Sequence, residues 1–152
     1  MKLLSIFILI FFGISNLTAQ NFNVILQVND INLNGEITNL YLSNNNQKTD
    51  EKIYVDYYPG DLIINNYNKE KFEKLNENFF LTFTHNTFKK GIQDLKTFNI
   101  KLHKKNLEQP YLIINVYDFR NHKYKKWYQY LTKDDYIAQI TFPNSGLYIR
   151  QK

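Results

Sequence analysis

From Phe22 onward the chain repeats one pattern: apolar side chains at every second position, in short runs separated by turn-forming residues. A period of two puts alternate residues on opposite faces of a strand, so each run makes a ribbon whose apolar face must be buried. Phe22, Val24, Leu26 and Val28 share one face, with Asn23 and Gln27 opposite. Thr38, Leu40 and Leu42 form a second set, and Ile53, Val55 and Tyr57 a third. The third runs into Pro59-Gly60-Asp61, where Pro fixes the first turn dihedral and Gly supplies a positive φ. Leu62-Ile63-Ile64 restarts an extended chain. Further sets follow at Phe79-Leu81-Phe83, Phe98-Ile100-Leu102, Leu112-Ile114-Val116 and Tyr136-Ala138-Ile140-Phe142. Tyr124 to Leu131 reads as an aromatic strand with interleaved lysines. Leu147-Tyr148-Ile149 reads as a closing strand after the turn Asn144-Ser145-Gly146.

Helical periodicity is weak. One short segment, Lys69 to Glu77, sets Phe72 and Leu75 three apart, and a helix of that length needs docking to persist. Ala138 is the only alanine after residue 19. The expected fold is therefore all-β: a two-sheet antiparallel sandwich, immunoglobulin-like or transthyretin-like, because facing sheets bury alternating faces with short connections. The alternative is a small lipocalin-like barrel, which would enclose a ligand cavity where the sandwich would not.

The first residues carry a different signal. Lys2 precedes an apolar run from Leu3 to Phe12 broken only by Ser5, and Ala19 is a small residue at the position of a cleavage site. This is the layout of a secretory signal peptide, too short for a bilayer span of roughly 20 residues. Residues 1–19 are read as a signal peptide and residues 20–152 as a single β-sandwich domain. The mature product is expected to be exported, to the periplasm, cell surface or medium, with no transmembrane segment of its own. Lys outnumbers Arg 17 to 2 and Asn occurs 21 times, a bias expected of an AT-rich, bacterial genome.

With no Cys, the chain has no disulfide, no thiolate metal site and no cysteine nucleophile. The serines after the signal, Ser43 and Ser145, lie outside any Gly-x-Ser-x-Gly elbow, and the glycines are isolated, so there is no phosphate loop. His85, His103 and His122 are 18 and 19 residues apart, without the spacing of a metal clip. Asp134 and Asp135 are neighbours suited to a turn. Asp56, before the Pro-Gly turn, reads as an outward residue of a half-exposed strand. No catalytic residue, metal or cofactor is expected.

Charge is distributed unevenly. Residues 20–84 carry a net −4 and residues 85–133 a net +8. Within the basic part, Arg120, Lys123, Tyr124, Lys125, Lys126, Trp127 and Tyr128 interleave cations with rings, a surface able to bind a polyanion through charge and stacking. On a strand, Tyr124, Lys126, Tyr128 and Tyr130 would form one exposed stripe. Lysines also guard edge strands against aggregation, which explains the same residues without a ligand. The expected partners are another envelope protein, an anionic polysaccharide or a lipid headgroup; export argues against nucleic acid. The function expected is that of an exported, non-catalytic binding or scaffolding module of the bacterial envelope or medium. The alternatives are a lipocalin-like carrier of a small apolar ligand and an enzyme of unrecognised type.

Overall fold

The computed structural model describes residues 19–45, 51–89, 91–126, 130–132 and 135–145, the side chains of Lys89, His122 and Lys125 excepted. The expected signal segment, Ala19 apart, and the expected closing strand at Leu147-Tyr148-Ile149 lie outside the described residues.

The strands are β1 (Gln20–Val28), β2 (Ile31–Asn32), β3 (Ile37–Ser43), β4 (Ile53–Tyr54), β5 (Asp56–Tyr58), β6 (Gly60–Ile64), β7 (Asn78–Lys89), β8 (Ile92–His103), β9 (Leu112–Asp118) and β10 (Tyr136–Thr141). Helices α1 (Asn66–Glu73), α2 (Lys104–Leu107) and α3 (His122–Lys125) are short. The first sheet runs β10-β9-β1-β6-β5, with β2 added to β1; the second runs β4-β3-β7-β8. All pairings are antiparallel except β1 with β9, which lie parallel with Val24 opposite Leu112 and Val28 opposite Val116. The fold is thus the two-sheet sandwich that alternation predicts. The sheets do not close on each other, so the barrel alternative is wrong.

The core is the set of inward residues from both sheets. Val24, Leu26 and Val28 of β1, Leu62 and Ile64 of β6, and Leu112, Ile114 and Val116 of β9 meet Phe79, Leu81 and Phe83 of β7 and Phe98, Ile100 and Leu102 of β8. The rings of Phe83 and Phe98 lie 5.5 Å apart, and Tyr136 of β10 sits edge-on to Phe98 at 5.1 Å. Large rings fill the space between the sheets, each burial stabilising by about 1.5–3 kcal/mol.

Two local readings change. Ile53 to Tyr57 is not one strand: the chain leaves the second sheet after β4 and enters the first at β5, turning at buried Val55, whose N–H donates to Leu40 O at 3.3 Å. The corner residue is apolar because it passes between the layers. The helix lies three residues earlier than its periodicity suggests. It is held by Phe72 against Phe22, 5.5 Å between rings, and by Asn68 donating to Tyr54 O at 2.7 Å. The Pro59-Gly60 turn forms as expected, with Gly60 at φ 101° between paired Tyr58 and Asp61.

Candidate functional site

The inner faces of the sandwich do not stay apolar to their ends. On β7 the series Phe79, Leu81, Phe83 continues in the same phase with His85 and Thr87, and on β8 Phe98 gives way to Lys96 and Asp94. On β9 the series Leu112, Ile114, Val116 ends at buried Asp118. These groups meet where the parallel strands β1 and β9 both terminate, and they form a polar layer across one end of the core.

Asp118 is its centre. Oδ1 accepts from Lys96 Nζ at 2.9 Å and from the Arg120 N–H at 3.0 Å; Oδ2 accepts from Arg120 Nε at 2.8 Å and Nη2 at 2.6 Å. Arg120 Nη1 then reaches Asp94 Oδ1 at 2.6 Å. Burial by itself raises the Asp118 carboxyl, but the hydrogen bonds from Arg120 and Lys96 outweigh it and hold the group below the usual carboxylate range. Lys96 and Asp94 belong to one sheet and Asp118 to the other, so the ion pairs clasp the sandwich shut. Two carboxylates face two cations, and the layer is charge-balanced.

His85 borders this layer. Its Nδ1 is buried and makes no hydrogen bond within the protein. Burial pushes the imidazole down, Glu36 pulls it up, and Arg120 adds to the depression while Asp118 and Asp94 oppose it. His85 therefore stays neutral at pH 7. A hollow of about 270 Å³ opens here, lined by His85, Thr87, Asp94, Asp118, Arg120 and Asn29 among others. It has room for a few waters or a small polar ligand.

A second network adjoins the first. The β1–β2 hairpin turns through Asn29 and Asp30, both left-handed at φ 55° and 67°. A two-residue hairpin of this kind favours Asn-Gly, and a side chain at the second place is strained. Asp30 offsets the strain by its contacts: Oδ1 accepts from Asn115 Nδ2 at 2.6 Å and Oδ2 from the Tyr124 hydroxyl at 2.7 Å. Asn29 Oδ1 accepts from the Asp118 N–H at 2.9 Å, which links the turn to the ion pairs. The hydrogen bond to Asp30, burial and the nearby carboxylate charge push the Tyr124 hydroxyl up to about 12. Asp30 is lowered, chiefly by the same bond.

The basic-aromatic residues separate into distinct environments. Arg120 is engaged by Asp118 and Asp94. Tyr124 is buried, its ring 5.0 Å from that of Tyr117. Lys123 and Lys126 are exposed, and Lys123 Nζ lies 5.0 Å above the Tyr124 ring. Lys125 contributes its backbone to α3, while Trp127 and Tyr128 lie outside the described residues. The expected strand from Tyr124 is not formed over the described residues. Asn121 caps a helical turn instead, accepting from the Lys123 N–H at 3.1 Å, and this rotates Tyr124 inward and away from any stripe with Lys126.

The other candidates sit apart. His103 caps α2 at the far end of the β7–β8 ladder, seven positions from His85 or roughly 23 Å along the strand. Among the described residues no group of three His, Asp or Glu is placed to hold a metal ion. Asp56 is exposed and accepts from Asn65 Nδ2 at 2.7 Å. Asp135 closes a turn by accepting from Thr132 N–H and Oγ at 2.7 and 2.9 Å. Sequence reasoning passed over Asp118, Asp94 and Lys96 as site residues and set His85 aside with the other histidines on spacing. Their signal was phase: each is an ionisable residue in register with an inward apolar series. No family model, curated protein or solved structure matches the chain.

Proposed function

We propose that the protein is an exported, non-catalytic β-sandwich module that binds or scaffolds in the bacterial envelope or outside the cell. The observation that carries the non-catalytic part is the use of its densest ionisable cluster: Lys96, Arg120, Asp94 and Asp118 are engaged in ion pairs with one another across the two sheets. A catalytic acid, base or nucleophile must have an unsatisfied valence toward substrate; these groups serve cohesion. Export rests on the N-terminal sequence, Lys2 and the apolar run to Phe12 ahead of Ala19. Among the described residues no helix is long and apolar enough to cross a membrane. Exposed Lys123 and Lys126 beside the ion-paired end favour an anionic partner, a polysaccharide or lipid headgroup, over a neutral one.

Fractionation of the producing cell, intact mass of the recovered protein and affinity capture with it test this reading together. A mature product beginning near Gln20, found outside the cytosol with a bound envelope component, is the expected result. A full-length cytosolic protein, or turnover of an envelope polymer by purified protein, overturns it.

A further inference from the structure

One margin of the sandwich is interrupted where the chain changes sheets. β4 pairs β3 only at Tyr41 and Leu42, and after Tyr54 the chain turns at Val55 into β5, the end strand of the first sheet. Among the described residues the early half of β3 is therefore left without a strand on that side. Between it and β5 lies a hollow of about 400 Å³, within the range of small-ligand clefts, about 300–1,000 Å³. Asn34, Thr38, Asn39, Tyr54, Asp56 and Tyr57 line it, and none of them adjoins an undescribed segment.

The wall of this hollow is strained. β3 carries one residue too many for β7, since Thr38 pairs Thr84 while Tyr41 pairs Thr82. The surplus is a bulge at Asn39, which is left-handed at φ 51°. A bulge re-aims side chains, and a non-glycine residue held in this conformation costs stability, a combination found next to binding sites.

The lining has the chemistry of sugar recognition. Tyr54 is 53% exposed, and its ring is steadied by that of Tyr41 at 6.0 Å and 63°. A preset aromatic ring accepts the C–H face of a pyranose at little entropic cost. Among the described residues the Asn34 and Asn39 amides and the Tyr54 hydroxyl have no hydrogen-bond partner. Asp56 is oriented by Asn65, which donates to Oδ2 at 2.7 Å and leaves Oδ1 to a ligand hydroxyl. Amides and a carboxylate supply the donors and acceptors that vicinal hydroxyls require. No Lys, Arg or His is among the residues lining the hollow, and its one charge is negative, which disfavours an anion.

We propose that this hollow binds a neutral saccharide, with Tyr54 stacking on a pyranose ring and Asp56, Asn34 and Asn39 on its hydroxyls. β1 and β6 lie between β5 and the β9 end of the sheet, beyond which Lys123 and Lys126 follow, so this ligand is distinct from the anionic partner proposed above.

Calorimetric titration of the protein recovered from the producing cell tests this, with neutral hexasaccharides of glucose, xylose, mannose and N-acetylglucosamine as probes. At least one binds with a dissociation constant below about 1 mM, unchanged between low and high salt. Tyr54→Ala weakens that binding at least about tenfold. Asn39→Gly removes an amide while easing the left-handed backbone, so it weakens binding about threefold or more without loss of stability. Tyr111→Ala, at an exposed ring elsewhere, leaves binding unchanged. Binding of none of these probes, binding that survives either hollow variant, or binding that falls steeply with salt overturns the proposal.

Discussion

The Tyr136 hydroxyl serves both main-chain polar groups of Asn99: it accepts from the N–H at 2.8 Å and donates to the C=O at 2.8 Å. One side chain from the margin of the first sheet thereby caps the margin of the second. Tyr136→Phe keeps the ring against Phe98 and strips both bonds. The half-buried Asn99 groups then lack partners, and stability falls by about 1–3 kcal/mol, read as a shift in the urea midpoint at unchanged slope.

Asp118→Asn leaves Lys96 and Arg120 without their shared counter-ion. The loss is about 3 kcal/mol, at the low end for a broken buried pair because both cations keep some contact with water. The carboxyl is depressed in the folded protein, so its contribution is complete above the ordinary carboxylate range and is lost as pH falls through the folded value. Urea midpoints measured from pH 6 down to about pH 2 fall in the parent protein and fall less in Asp118→Asn.

His85 adds a separate pH dependence. Its folded value is depressed, so between that value and the unfolded value of about 6.5 the unfolded chain binds more protons. Stability therefore declines as pH drops below about 6.5, before the carboxylates titrate. His85→Gln removes this upper step, and in the parent protein the imidazole resonance of His85 titrates below the ordinary histidine value of about 6.5 in proton magnetic resonance.

Asp30→Gly sets backbone relief against lost bonds. Glycine accepts φ 67° at a gain of about 1 kcal/mol. Losing the bonds from Asn115 and Tyr124 costs about 1.5–3 kcal/mol for each contact to the charged group, so the variant is less stable. Spectrophotometric titration of the same variant moves the Tyr124 hydroxyl from about 12 back toward 10.

The sheets were largely legible because each strand buries one face, and burial imposes the alternation seen at Val24-Leu26-Val28 or Leu112-Ile114-Val116. What escaped was set by contacts distant in sequence. Nothing near Val55 announces that it passes from one sheet to the other, since the neighbouring alternation is unbroken. Tyr124 alternates with lysines as a strand residue does, yet its hydroxyl is claimed by Asp30, more than ninety residues earlier. The Asn29-Asp30 turn lacks the glycine that marks such hairpins and depends on Asn115 and Tyr124 to hold it. The ionic layer was hidden differently. Its members looked like ordinary surface charges, and only their phase relative to Phe83, Phe98 and Val116 placed them inward.

The parallel pairing of β1 with β9 sets the order in which the protein can assemble. β1 precedes every other described strand and lies in the interior of its sheet, but one of its neighbours begins at Leu112. Everything from β1 through β9 must emerge before that seam can form, whereas the β7–β8 hairpin can zip locally. Such long-range closure is slow, and until it happens the leading strand keeps one flank open to chaperones or to stray strands.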